Sequence, residues 1–397
     1  MRRIVVIILC LLALSSAAAE RRDSSDIHRV GLNLRPGILL QNHDFFKGSN
    51  ATGRPMLATG SVHLQYSFMF PASSNVGRIY PTSYQGIGVA AYTFGNHDET
   101  GTPTALYVFQ GGEIARFGKS LSLDYEWNFG LSMGWKPYDD VLNPNNLVVG
   151  TSVNAFINAG LMLSWHPKKD LAFSAGLDFS HFSNGDTTFP NSGVNSVTSR
   201  FGVVKSFTGG CHDIGRNHYG RKKPTIWFVD RIRCDVIAYG AWNEESVRYQ
   251  DEEHYVDGKF AVAGLNINPL CLVCFPWLSV GPSLDLQYNE GMNIQDHVAG
   301  VNPADGSLRF YRPSFREQFA LGLSLRAEIQ MPVFAVNLGL GHNVIYKGAE
   351  LDGLYYFAVL KTFLTKSLFA HVGLKVTDSD CSNNLMLGFG WRFGNKY

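Results

Sequence analysis

The chain has 397 residues, of which 45% are hydrophobic, 13% aromatic and only 17% charged, with 41 glycines and a net charge of +1. A typical soluble protein carries about 25% charged residues, and a near-neutral balance excludes the basic footprint of a nucleic-acid-binding protein. No apolar run is long enough for a spanning helix, which needs ~20 residues, so a helical membrane protein is excluded as well.

The first element is Met1-Arg2-Arg3, an apolar run over 4–14, and Ser15-Ser16-Ala17-Ala18-Ala19. A charged start, a short apolar stretch and a small-residue site make residues 1–19 a cleaved signal peptide. Cys10 lies inside the apolar run rather than at the cleavage site, so it is not a lipidation site. The remaining chain shows no Pro/Ser-rich linker and no break in composition. Residues 20–397 therefore read as one domain.

Residues 121–135 form the clearest strand. Leu121, Leu123, Tyr125, Trp127, Phe129, Leu131, Met133 and Trp135 alternate with Ser122, Asp124, Glu126, Asn128, Gly130, Ser132 and Gly134. Globular strands usually run about 5–6 residues, whereas a tilted membrane strand needs ~9–11. Over 171–183, Leu171, Phe173, Ala175, Leu177 and Phe179 lead on one face to His181 and Ser183. The opposite face is small or polar and holds Asp178. In the next strand Asn195, Val197, Phe201 and Val203 oppose Ser196, Thr198, Arg200 and Gly202.

Arg216, Arg221, Lys222 and Lys223 then form a basic loop, read as a solvated turn. Once Cys10 is removed, Cys211, Cys234, Cys271, Cys274 and Cys381 remain, an odd number that cannot pair completely. Cys271 and Cys274 have CxxC spacing without a second pair to complete a zinc site. They read as small apolar fillers or one local disulfide. The period-2 pattern returns at 320–330, 334–341 and 385–393, and His342 and His371 on these strands read as structural. Turn-rich segments lie at 45–57, 95–104, 136–152, 243–257 and 289–313.

Long strands with one consistently apolar face, and charges such as Asp124, Glu126, Asp178, Arg200, Arg326 and Glu328 on the other, predict an all-β fold. The expected architecture is an antiparallel transmembrane β-barrel of about 14 strands, within a range of 12–16. Its apolar face meets lipid and its polar face lines the lumen. The last strand, Gly388-Phe389-Gly390-Trp391-Arg392-Phe393, resembles the aromatic end signal of outer-membrane barrels.

On this reading His181 and Ser183 stand on the outer wall near a strand end, and Asn195 emerges on the same wall one strand over. A hydroxyl beside an imidazole is the minimum for nucleophilic acyl transfer, and an amide oxygen can orient the ring as in Cys-His-Asn enzymes. The expected chain runs from Ser183 Oγ to His181 Nε2, and from His181 Nδ1–H to Asn195 Oδ1. Backbone N–H groups around Gly185, with the side-chain amide of Asn191 or Asn184, are candidates for an oxyanion hole. No cofactor or metal is called for.

His181-x-Ser183-Asn184 followed by Pro190-Asn191-x-Gly193 resembles the lipid A 3-O-deacylase (PagL-like acyloxyacyl hydrolase) family of outer-membrane barrels. The resemblance implies that His181 and Ser183 are the family's histidine and serine and that Asn191 serves the oxyanion. It puts Asn195 where the family has an acid. The resemblance is dense over about 171–205 and diffuse elsewhere. It implies a serine esterase of the Gram-negative outer membrane acting on lipid A of lipopolysaccharide in the outer leaflet. The outer-membrane phospholipase A family is similar too, with His-x-Ser-Asn-Gly and an asparagine at the spacing of Asn195. Its Ser-Trp-Asn-Arg context is replaced here by Gly193-Val194-Asn195-Ser196. That alternative would bring calcium and a homodimer. A third is a non-catalytic porin or binding barrel.

Overall fold

The computed structural model of the protein describes residues 26–71, 73–207, 231–250, 252–302, 308–377 and 384–394. The first eight strands are β1 (Ile27–Leu39), β2 (Ala58–Met69), β3 (Tyr84–Thr93), β4 (Gly101–Phe117), β5 (Leu121–Trp135), β6 (Val153–Lys168), β7 (Leu171–Ser183) and β8 (Val194–Phe207). Each pairs antiparallel with the next, and β8 pairs back onto β1, closing a barrel.

A second set follows: β9 (Ile232–Tyr249), β10 (Glu252–Leu272) and β11 (Leu278–Asn289). After a small hairpin of β12 (Val298–Val301) and β13 (Leu308–Phe310) come β14 (Phe319–Gln330), β15 (Phe334–Ile345), β16 (Leu354–Phe363), β17 (Leu368–Thr377) and β18 (Asn384–Gly394). Here β18 closes onto β9, making a second eight-stranded barrel.

The all-β antiparallel barrel architecture agrees with the sequence reading, and sixteen barrel strands fall within the expected range. The single barrel over residues 20–397 is corrected: the strands are shared between two barrels. Period-2 alternation reports which face of a strand is apolar, but not which strand its last member pairs with. Closure at β8–β1 is a long-range event that leaves no local mark. A second correction concerns 243–257, read as a turn. There β9 and β10 continue as a hairpin with Glu252 opposite Tyr249 and Val256 opposite Glu245. Beyond the membrane both faces of a hairpin meet water, so polar residues no longer signal a loop.

Both barrels are inverted relative to a soluble protein. Leu32, Leu34, Leu161, Leu177 and Phe201 on the first, and Leu325, Leu338, Phe389 and Trp391 on the second, are exposed on the outer walls. Such continuous apolar surface exceeds what a soluble monomer presents and fits a lipid-facing wall.

The lumens are filled. Arg200 clasps Asp178 through two bonds of 2.6 and 2.8 Å and reaches Glu126 at 2.9 Å. Arg35 lies 3.4 Å from both carboxylates. Toward the His181 end Tyr92, Phe94, Trp135, Phe156 and Phe182 stack as an aromatic plug. In the second lumen Lys361 and Arg392 each bridge Asp235 and Glu328, at 2.6–2.7 Å. Pairing compensates these charges for their burial away from bulk water. An eight-stranded barrel is just wide enough to be packed in this way.

Cys234, Cys271 and Cys274 are free thiols, so the CxxC pair is not a disulfide. The signal peptide at 1–19, the basic loop at 216–223, Cys211 and Cys381 lie outside the described residues. His371 is buried in the second lumen. The imidazole of His342 bonds its neighbour's carbonyl, Asn343 O, at 2.6 Å.

Candidate active site

Phe182 sets the orientation of the site. Its ring is 1% exposed and is wedged into the plug 5.2 Å from both Trp135 and Phe156 and 5.0 Å from Tyr92. Because strand side chains alternate, burying Phe182 turns His181 and Ser183 outward, where both are half-buried. Below them Leu123, Trp127, Leu161, Leu177, Phe179 and Val197 line an apolar groove of about 720 Å³ on the outer wall.

His181 and Asn195 are direct cross-strand partners on β7 and β8. The His181 Nδ1 to Asn195 Oδ1 distance is 2.7 Å. An amide oxygen only accepts, so Nδ1 carries the proton and Nε2 keeps the lone pair a base needs. Ser183 stands two residues further along the same face, opposite Ala155 of β6. No hydrogen bond between Ser183 and the imidazole is formed among the described residues. Catalytic bonds of this kind commonly tighten only in the substrate complex.

The segment 184–193 caps this end. Asn184 N–H donates to Asn191 Oδ1 at 3.0 Å, and Asn191 Nδ2 donates to Asp186 Oδ1 at 2.9 Å. Asn184 Nδ2 donates to Thr188 O at 2.7 Å. Both asparagines therefore shape the loop, and Asn191 Nδ2 retains a second N–H. Gly185 (φ +66°) and Asp186 (φ +61°) are consecutive left-handed residues that reverse the chain. Gly193 N–H donates to Val148 O at 3.3 Å, tying the loop to 136–152. In that neighbouring loop the Leu142 and Val141 N–H groups hold the Asp139 carboxyl below the usual carboxylate range.

Gly193, which the sequence reading named in the motif without giving it a role, packs against the imidazole. Its φ is +70°, and a Cβ there would stand 3.0 Å from His181 Cε1 and 3.2 Å from Phe182 O. A side chain must strain the backbone by about 1–2 kcal/mol and push the ring. Gly193→Ala is expected to lower kcat/KM on lipid in detergent by roughly tenfold while barrel migration on gels persists. An unchanged rate would show that the imidazole tolerates the methyl group.

A better-bonded serine–histidine pair exists elsewhere. Ser61 Oγ lies 2.9 Å from His63 Nε2, and His63 Nδ1 lies 2.9 Å from the Tyr107 hydroxyl. His63 is 0% exposed inside the first lumen, against Tyr92 and Tyr107. With no access for a substrate it is a core network. Exposure, rather than bond length, separates the two pairs.

The comparisons with known proteins follow the two barrels. Residues 61–204 match the family described as lipid A 3-O-deacylase (PagL). Residues 232–396 match the acyloxyacyl hydrolase C-terminal domain. The chain belongs to the lipid A 3-O-deacylase family. The first match contains β7, the loop after it and most of β8, and the second begins where β9 begins. Membership makes the chain a β-barrel protein of the Gram-negative outer membrane, in a family of hydrolases.

No curated protein matches the chain. Among solved structures, Neisserial surface protein A is 8% identical with a TM-score of 0.32, covering 47% of this chain and 100% of that one. Omp33 of Acinetobacter baumannii is 8% identical with a TM-score of 0.18, covering 93% of this chain and 99% of that one.

Proposed function

We propose that this family member is a serine esterase that removes an ester-linked acyl chain from lipid A in the outer leaflet. Ser183 Oγ attacks the ester carbonyl as its proton passes to His181 Nε2. The developing oxyanion is held by the N–H of Gly185 and the Asn191 amide. Collapse breaks the bond to the sugar oxygen, which takes the proton from His181, leaving an acyl-Ser183. Water then gives a proton to His181 and attacks the acyl carbon; collapse breaks the acyl–Oγ bond, His181 returns that proton to Ser183 Oγ, and the fatty acid leaves. Asn195 holds the ring in the required tautomer throughout.

The observation that carries this reading is the 2.7 Å bond between His181 and Asn195 on the outward face of β7 and β8. The site also lies at the barrel end opposite β1's start and β8's finish, together with the segments 40–57, 94–100 and 136–152. Long extracellular loops characterise that end in outer-membrane barrels, and the substrate is expected in the leaflet beside them.

Asn195 itself motivates a second reading. An amide in the third position is shared with the phospholipase A pattern, so a phospholipid ester is the alternative substrate. Mass spectrometry of lipid A and phospholipids from cells with and without the chain, repeated with EDTA, separates the two. Loss of one acyl chain from lipid A, insensitive to EDTA, is expected. An unchanged lipid A beside new lysophospholipid would reject the deacylase reading.

A further inference from the structure

The outward face of β9 runs through Val236, Ala238, Gly240 and Trp242 and then presents a carboxylate, Glu244. Glu244 stands just past the apolar part of that face, where β9 leaves the membrane pattern. Glu244 is bonded across the gap to the other barrel. Its Oε2 accepts the Phe189 N–H at 2.8 Å, and its own N–H donates to Asp186 O at 3.3 Å. Asp186 and Phe189 both belong to the loop between β7 and β8.

The neighbouring strand approaches the loop as well. A Cβ built on Gly185 would stand 3.5 Å from the Leu385 side chain of β18, and β18 pairs with β9. The loop is thus seated in a socket made by two adjacent strands of the second barrel. A separate contact, Trp127 against Phe334 at 5.0 Å and an edge angle of 80°, joins the barrels lower on the wall. The seat is therefore not an isolated touch between the barrels.

From this geometry we infer that Glu244 is a positioning residue for the esterase loop, and that the C-terminal barrel supplies it to the active site of the N-terminal one. The inference rests on the esterase reading above. Gly185 and Asn191 can serve an oxyanion only if 184–193 keeps one shape; the asparagine bonds within the loop and the Gly193 bond to Val148 hold its two ends, and Glu244 fixes its middle. Glu244 grips the loop on both sides of its midpoint, by backbone and by side chain. A carboxylate accepts strongly from an N–H, and preorganised donors do not have to be reordered during reaction. Glu244 touches no reacting atom. Its effect belongs in kcat, because a loop that samples other shapes loses oxyanion support without losing the apolar groove that binds the acyl chain.

The test uses the full-length protein in detergent with purified lipid A. Glu244→Ala is expected to lower kcat roughly 10- to 100-fold with KM within about threefold, and to speed hydrogen exchange at the Phe189 amide. Glu244→Gln keeps an acceptor oxygen and is expected to retain most of kcat. Heat-modifiable migration verifies that both barrels remain folded. A Glu244→Ala protein with undiminished kcat, or with lowered kcat but unaltered Phe189 exchange, would overturn the positioning role. Absence of deacylation in the unsubstituted protein would instead overturn the esterase reading, because the exchange measurement reads the clamp without any turnover.

Discussion

Ser183→Ala and His181→Ala should each lower ester hydrolysis by at least ~10,000-fold while heat-modifiable migration of the barrels persists. Removing either member of a unit that passes one proton back and forth eliminates most of what the unit achieves, so the two losses should be similar and the double variant hardly worse. The fold should survive because both side chains are only half-buried, and the buried residue between them, Phe182, is untouched. Asn195→Glu completes the series. A carboxylate would keep an acceptor facing His181 Nδ1 and add a charge to balance the imidazolium, so activity should be retained or raised. Complete loss in Asn195→Glu would remove Asn195 from the orienting role. If Ser183→Ala left hydrolysis intact, the nucleophile would have to be sought elsewhere on the chain.

The largest effect on stability should come from Arg200→Met. Arg200 is 1% exposed and bonds Asp178 twice while reaching Glu126. Taking away one partner of a buried ion network leaves the opposite charge without compensation, which costs about 3–5 kcal/mol. Glu126 keeps the Gln65 amide at 2.9 Å and the Tyr84 hydroxyl at 3.2 Å. Arg35 stays 3.4 Å from both carboxylates, and Asp178 loses its two-bond partner. Asp178 therefore bears most of the loss. The midpoint of urea or heat unfolding, followed by gel migration, should fall clearly. Adding Asp178→Leu to Arg200→Met should recover part of it, since replacing both partners by apolar groups of similar volume can approach neutrality. A single variant as stable as the unsubstituted chain would mean that water reaches this lumen.

Much of the candidate site was legible before any coordinates. Alternation over 171–183 and 195–203 settles which side chains share a face, and alternation over 121–133 in β5 requires a strand longer than globular proteins use; Trp135, read onto the lipid face, instead turns into the lumen plug after Gly134 (φ +94°). From the alternations follow a lipid-facing wall and the outward placement of His181, Ser183 and Asn195. Glu244 was hidden for the opposite reason. It lies within 243–257, where the membrane pattern stops and polar residues on both faces of the β9–β10 hairpin imitate a turn. The Ser61–His63 pair shows the complementary hazard: a close, well-bonded couple whose environment, a sealed aromatic lumen, no local pattern announces.

The amino-acid order alone thus established strand character, the apolar face of each strand and the residues that stand together on it, because side-chain direction has a period of two and is written locally. Only the tertiary structure decided that β8 returns to β1 and β18 to β9, that His181 and Asn195 fall in register at hydrogen-bonding distance, and that Glu244 of one barrel grips the loop of the other. Those facts depend on which distant segments pair, and that choice is made by closure and packing across the whole chain.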